Sequence, residues 1–120
     1  MSCPFCTITN KIGEIPTVFA VFDKYPVTKG HILIIPKRHT DNWFDLSQTE
    51  QAECMSLVNQ MKGFLQKEYN PDGFNIGINI GEVAGQTINH VHIHLIPRYK
   101  NDMPAPTGGV RGVIPEKQKY

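Results

Sequence analysis

The chain has 120 residues, with 12 Lys and Arg against 11 Asp and Glu, and a formal charge of +1. That length suffices for one domain with a real core unaided by disulfides. The charge balance excludes the broad electrostatic coating of nucleic acid or of a membrane surface, while leaving room for a local site that binds a small charged ligand. No apolar stretch approaches a membrane span, the first residues carry no leader pattern, and the 3 cysteines cannot complete a disulfide framework. The expectation is a cytoplasmic protein.

In chain order, the first marked feature is Cys3-Pro4-Phe5-Cys6, a Cys-x-x-Cys. Thr17 to Asp23 is rich in β-formers and predicts a strand. Tyr25-Pro26 and Lys29-Gly30 mark a turn, and His31 to Ile35 predicts a second strand, stopped by Pro36. Ser47-Gln48-Thr49-Glu50 is a capping box with Ser47 as N-cap. Behind it Cys54, Val58, Met61 and Leu65 keep helical spacing, with Met55, Leu57 and Phe64 widening the stripe. Cys54 in that stripe reads as core. Asn70-Pro71-Asp72-Gly73 ends the helix. Phe74, Ile76, Ile78 and Ile80 then alternate with Asn75, Gly77 and Asn79, a third strand, and Gly81 to Gly85 is a loop. From His90 the chain runs His-Val-His-Ile-His-Leu-Ile-Pro-Arg, a fourth strand. After Arg98 the composition turns to Pro, Gly, Lys and Asn, so Lys100 to Tyr120 reads as an extended tail. Strand, strand, helix, strand, strand describes an α+β meander with its helix on one face of an antiparallel sheet.

Alternation places His90, His92 and His94 on one sheet face and Val91, Ile93 and Leu95 in the core. A neutral imidazole serves as base, nucleophile or metal ligand at pH 7. Imidazoles on one face disfavour each other's protonation. Upstream, Gly85-Gln86-Thr87 with Asn79 and Asn89 supplies close backbone approach and neutral donors suited to phosphate oxygens. With Arg98 and with Lys37-Arg38 close by, these residues predict a pocket for a phosphorylated ligand. A P-loop and a dinucleotide fingerprint are both lacking. The bland alternatives are a three-histidine metal site and an exposed strand edge.

At these residues the chain resembles the histidine triad family, whose signature alternates three histidines with apolar residues as His90 to Ile96 does. Tyr25 to Pro36 is similar to a second stretch of that family, and Ala84-Gly85-Gln86-Thr87 resembles its fragile histidine triad branch, which hydrolyses diadenosine polyphosphates. The resemblance implies an α+β fold: an antiparallel sheet of about five strands, one long helix and a short N-terminal helix. It implies a single domain over 1–120, with 100–120 as the tail. It implies that His92 attacks the α-phosphorus of a nucleotide to form a nucleotidyl-histidine that water cleaves, a covalent mechanism. His94 would donate to the phosphoryl oxygens and Gln86 would complete the catalytic group. Asp23, His31, Asn79, Gly85 and Thr87 would bind ribose and phosphates. The structural alternatives are that Asp23 caps a turn, that His31 is a buried strand histidine, that Asn79 closes the sheet edge, that Gln86 and Thr87 shape the loop, and that Arg98 is a solvated strand end.

The two N-terminal thiols suit a tetrahedral zinc, a redox pair, or no chemistry at all. By resemblance to bacterial family members and to galactose-1-phosphate uridylyltransferases, Cys3, Cys6, His39 and His90 would hold a structural Zn²⁺, with His90 bracing His92. Mg²⁺, where needed, would arrive with the polyphosphate. A homodimer is implied, and the tail is expected to lie on the domain or on the partner subunit. Rival functions are a nucleoside phosphoramidase, a dinucleotide phosphorylase and a nucleotide sensor with incidental catalysis.

Overall fold

A computed structural model describes residues 3–120. Five antiparallel strands, β1 (Gly13–Ile15), β2 (Val18–Phe22), β3 (Ile32–Pro36), β4 (Gly73–Ile78) and β5 (Ile93–Arg98), form one sheet in the order β1-β2-β3-β5-β4. The long helix α1 (Gln48–Tyr69) lies across one face. It starts where the capping box predicts: the Ser47 side chain accepts from the Glu50 N–H, and Glu50 accepts in return from the Ser47 N–H at 2.8 Å. It ends at Asn70, in the left-handed region at φ 49°, just before Pro71.

The two sheet faces differ. Val18, Ala20, Ile32, Ile34, Ile93 and Leu95 point to the helix and meet Cys54, Leu57, Val58, Met61 and Leu65 in a dry core. Each fully buried aliphatic side chain there contributes roughly 1.5–3 kcal/mol. Burial pushes the Cys54 thiol up to about 12, so it is inert core as expected. On the opposite face Phe19, Val21, Leu33 and Ile35 pack under Phe5, Ile8 and Ile88. Leu33 pairs with His94 in register, which puts His94 beside that second apolar patch.

β1, a hairpin partner of β2 too short to show periodicity, completes the five strands that the resemblance implies. Three expectations need correction. In place of a short N-terminal helix there is a single turn at Pro4–Cys6, closed by the Cys6 N–H on the Cys3 carbonyl, with Pro4 lacking an N–H to extend it. Met55 is exposed, lying one position off the buried stripe. The histidine strand begins at Ile93, two residues after Val91, since the continuing register would meet Pro36, which has no N–H to give. Val91 instead donates to the Thr40 carbonyl. The alternation persists all the same, with Val91, Ile93 and Leu95 in the helix-side core.

The tail folds back on its own chain. Of two short 3-10 turns, Gly109–Val113 packs against β4 and Pro115–Lys117 packs against it in turn, and the Gln118 amide ties them down through the Ala105 and Thr107 carbonyls. Gly108, at φ 92°, sits where any Cβ would collide with the Gln118 carbonyl. Among the described residues no helix is long and apolar enough to cross a membrane.

Candidate functional site

The N-terminal turn brings Cys3 and Cys6 to His39 and His90, and one ligand atom from each lies within 4.8 Å of all the others. His90 is fully buried, and its Nε2 sits 2.7 Å from the Pro36 carbonyl. That nitrogen must carry the proton, so Nδ1 presents a lone pair. Around this Nδ1 stand His39 Nδ1 at 3.2 Å, Cys3 Sγ at 3.4 Å and Cys6 Sγ at 3.6 Å; Cys6 Sγ is also 3.3 Å from His39 Nδ1. Bonds of about 2.3 Å to sulfur and 2.0–2.1 Å to nitrogen imply tetrahedral edges of about 3.3 Å between nitrogens and about 3.5 Å between nitrogen and sulfur. The observed edges match, and two soft thiolates with two imidazoles suit a closed tetrahedral ion. These four residues, the set expected from the sequence, could hold a metal ion. Burial lowers His90 against the opposing pull of the Pro36 carbonyl and keeps its ring neutral, as a ligand must be.

His92 is tied to the same cluster. Its Nδ1 donates to the His90 carbonyl at 2.9 Å, which leaves the lone pair on Nε2. Phe5, the aromatic residue between the two thiols, meets the His92 ring edge-on at 5.1 Å and the His90 ring at 5.9 Å. His92 is thereby 8% exposed, clamped between Phe5 and His94, whose ring lies 5.1 Å away. Sequence reasoning gave Phe5 no role; the signal was an aromatic residue inside a Cys-x-x-Cys. The three histidines take different partners, so they do not converge on one metal.

The loop upstream is pinned by two glycines in the left-handed region, Gly81 at φ 92° and Gly85 at φ 96°, on either side of a 3-10 turn at Glu82–Ala84. Gln86 is buried within that loop. Its amide oxygen accepts from the Gly81 N–H at 2.9 Å, and its amide nitrogen donates to the Asp41 and Ile88 carbonyls at 2.9 and 3.2 Å. With the amide so occupied, Gln86 braces the loop, as in the structural alternative for this residue. Thr87 is exposed, and half-buried Asn79 lines a cavity with its amide beside Gly85.

That cavity, about 1040 Å³, lies on the sheet face away from the helix. Asp23, His31, His94 and Asn79 line it from the sheet and its loops, and Val110 and Val113 from the tail. His31, 2% exposed, accepts the Val27 N–H at Nδ1 (3.0 Å), and its Nε2 is 2.9 Å from His94 Nδ1 and 3.4 Å from Asp23 Oδ2. Asp23 also caps its turn by accepting the Tyr25 N–H. The anticipated cations are otherwise engaged. Lys37 pairs with Glu14 at 2.6 Å, Arg38 with Glu50 at 3.0 Å, and Arg98 with Asp102 at 2.7 Å and Asn75 at 2.6 Å. Each found a closer anionic or amide partner within the fold, so none stands free for phosphate.

Comparison with known proteins bears on this geometry. The HIT domain family model matches residues 7–101. An AP-4-A phosphorylase of Mycobacterium tuberculosis strain H37Rv is 35% identical over 102 residues, covering 82% of this chain and 52% of the relative. The adenosine 5'-monophosphoramidase hnt1 of Schizosaccharomyces pombe is 37% identical over 106 residues, covering 82% of this chain and 75% of the relative. Among solved structures, a HIT family protein from Bacillus anthracis aligns with TM-score 0.78 at 40% identity, over 86% of this chain and 79% of that one. A Zn-bound histidine triad family protein from Mycobacterium smegmatis aligns with TM-score 0.78 at 32% identity, over 87% and 80% of the two chains. With the model spanning most of the chain and the triad seated as described, this chain belongs to the HIT family.

Proposed function

We propose that the protein is a nucleotidyl hydrolase or transferase that works at an α-phosphate through a covalent intermediate on His92, with diadenosine polyphosphates as substrate class. The observation that carries this reading is the His92 Nδ1 bond to the His90 carbonyl, which fixes the lone pair on Nε2. In the first step the Nε2 pair forms a bond to phosphorus, and the bond to the leaving oxygen or nitrogen breaks with its electrons. In the second, water attacks phosphorus, the P–N bond to His92 breaks, and a nucleoside monophosphate and a proton are released. His94 donates to the phosphoryl oxygens, and Asn79, Thr87 and the Gly85 backbone hold the phosphates. Gln86 positions that loop, and Asp23 with His31 supports the ribose side.

Cys3, Cys6, His39 and His90 would hold a zinc ion, whose chemistry is structural: it closes four ligands and leaves no open position for substrate. Support comes from the tetrahedral edges and from a zinc-bound relative with the same fold.

One observation favours a second reading, a nucleoside phosphoramidase. Among the described residues lining the cavity the one lysine or arginine is Arg98, already paired with Asp102. A polyphosphate chain would find no free cation there, whereas an amidate with one phosphate needs none. Both activities occur in the names of relatives, the phosphorylase and the monophosphoramidase.

The test is turnover of diadenosine tri- and tetraphosphate and of adenosine phosphoramidate, with and without inorganic phosphate, by wild type and His92→Ala. The expected result is that His92→Ala lowers turnover by about 10³-fold or more, as for loss of a covalent nucleophile. Full activity in His92→Ala would overturn the reading. Binding without turnover of any of these would leave a nucleotide sensor.

A further inference from the structure

His31 is buried, polar and one ring away from the reacting groups, and the reaction above assigns it no chemical step. A neutral imidazole has one N–H and one lone pair, so knowing the partner of one nitrogen fixes the other. The Val27 amide can only donate, and it points at His31 Nδ1 from 3.0 Å. The ring's proton is therefore on Nε2. That proton faces two acceptors, His94 Nδ1 at 2.9 Å and the Asp23 carboxylate at 3.4 Å. His94 Nδ1 thus accepts, and the proton of His94 itself sits on Nε2. Both rings are neutral at pH 7. Burial lowers His31, and burial above all pushes His94 down to about 4 against the pull of Asp23.

The geometry points to His31 as a positioning residue that locks His94 in its Nε2–H tautomer. We propose that His94 therefore meets the phosphoryl group as a fixed neutral donor and not as a proton-transferring acid. Were His94 to release its Nε2 proton and draw one from His31, His31 would become an imidazolate, because the Val27 amide blocks resupply at Nδ1. The chain ends there. The leaving group then takes its proton from water. The same argument removes Asp23, His31 and His94 as a metal site, although their ligand atoms lie within 4.8 Å of one another. The nitrogen of His31 that faces the centre holds a proton, not a lone pair.

The kinetic part of this inference rests on the proposed reaction at His92, whereas the tautomer does not. The experiment is ¹⁵N NMR of histidine-labelled, metal-loaded protein at pH 7, with kinetics on the better substrate, for wild type, His31→Leu and His31→Gln. The expected wild-type spectrum has His94 protonated at Nε2 alone. His31→Leu should show mixed tautomers and a kcat about tenfold lower with KM changed less than about threefold, since the lost interaction strengthens in the transition state. His31→Gln, whose amide N–H can reach His94 Nδ1, should restore both and also controls for folding. A wild-type His94 protonated at Nδ1, or a His31→Leu protein with unchanged tautomer and kcat, overturns the lock. An inert His92 with the expected His94 tautomer would instead overturn the reaction and leave the lock standing.

Discussion

Two side-chain clusters flank His92, and each is compact enough to hold a metal ion. Around His90 the backbone takes the outward nitrogen: Nε2–H goes to the Pro36 carbonyl, and Nδ1 turns a lone pair toward two thiols and a second imidazole. Around His94 the backbone takes the opposite part: the Val27 N–H occupies a His31 lone pair, which forces the ring's proton into the centre. Proximity is the same in both. What separates a cation site from a hydrogen-bond chain is whether the outer backbone group is a carbonyl or an amide. A carbonyl leaves lone pairs converging, and an amide leaves a proton there.

The comparison breaks first at the metal. Cys6→Ser removes one thiolate from the His90 cluster, and structural zinc of this kind contributes on the order of 10 kcal/mol. We expect loss of bound zinc and a Tm lower by about 10 °C or more in calorimetry, with His31→Leu retaining its zinc. Next is Phe5→Ala, which uncovers His92 on the side of the metal cluster. Truncating a buried Phe costs about 3 kcal/mol, so urea denaturation should show a clear loss of stability. In the same variant kcat should fall several-fold while zinc content stays unchanged. Unaltered kcat would detach Phe5 from the proposed nucleophile, His92.

The smallest effect concerns the ion pair that ties the His39 loop to the helix. Arg38 holds the Glu50 carboxyl down to about 2, well below its ordinary 4.5, and the Ser47 backbone adds to that. A carboxylate lowered by folding stabilises above its unfolded value, and the gain is lost as pH falls through its folded value. Stability should therefore drop as the solution is taken from about pH 4.5 toward pH 2, and Glu50→Gln should flatten that part of the profile. Parallel profiles in denaturant titrations would contradict it.

The parts legible in the sequence are those whose chemistry is local. Ser47 and Glu50 are three residues apart and cap the helix whatever surrounds them, and the alternation from His90 to Leu95 sorts core from site. The four cluster residues were legible by resemblance, and the geometry brings them together. What escaped depends on partners distant in the chain. Gln86 reads as a free donor until Asp41, 45 residues away, takes its amide. Lys37 and Arg38 read as cations close to a phosphate pocket until Glu14 and Glu50 claim them, and Arg98, read as a strand end, pairs with Asp102. The late start of β5 follows from Pro36 on another strand, and the path of the tail follows from contacts to Gln118. A single sequence shows the donors; only the fold shows which are already used.

The most direct test of the contrast is metal analysis of protein purified without chelator, joined to zinc X-ray absorption spectroscopy. The account predicts one zinc per chain with two sulfur and two nitrogen neighbours, unchanged in His31→Leu and lost in Cys6→Ser. A protein without zinc, a second ion per chain, or a first shell of nitrogen and oxygen alone would contradict it.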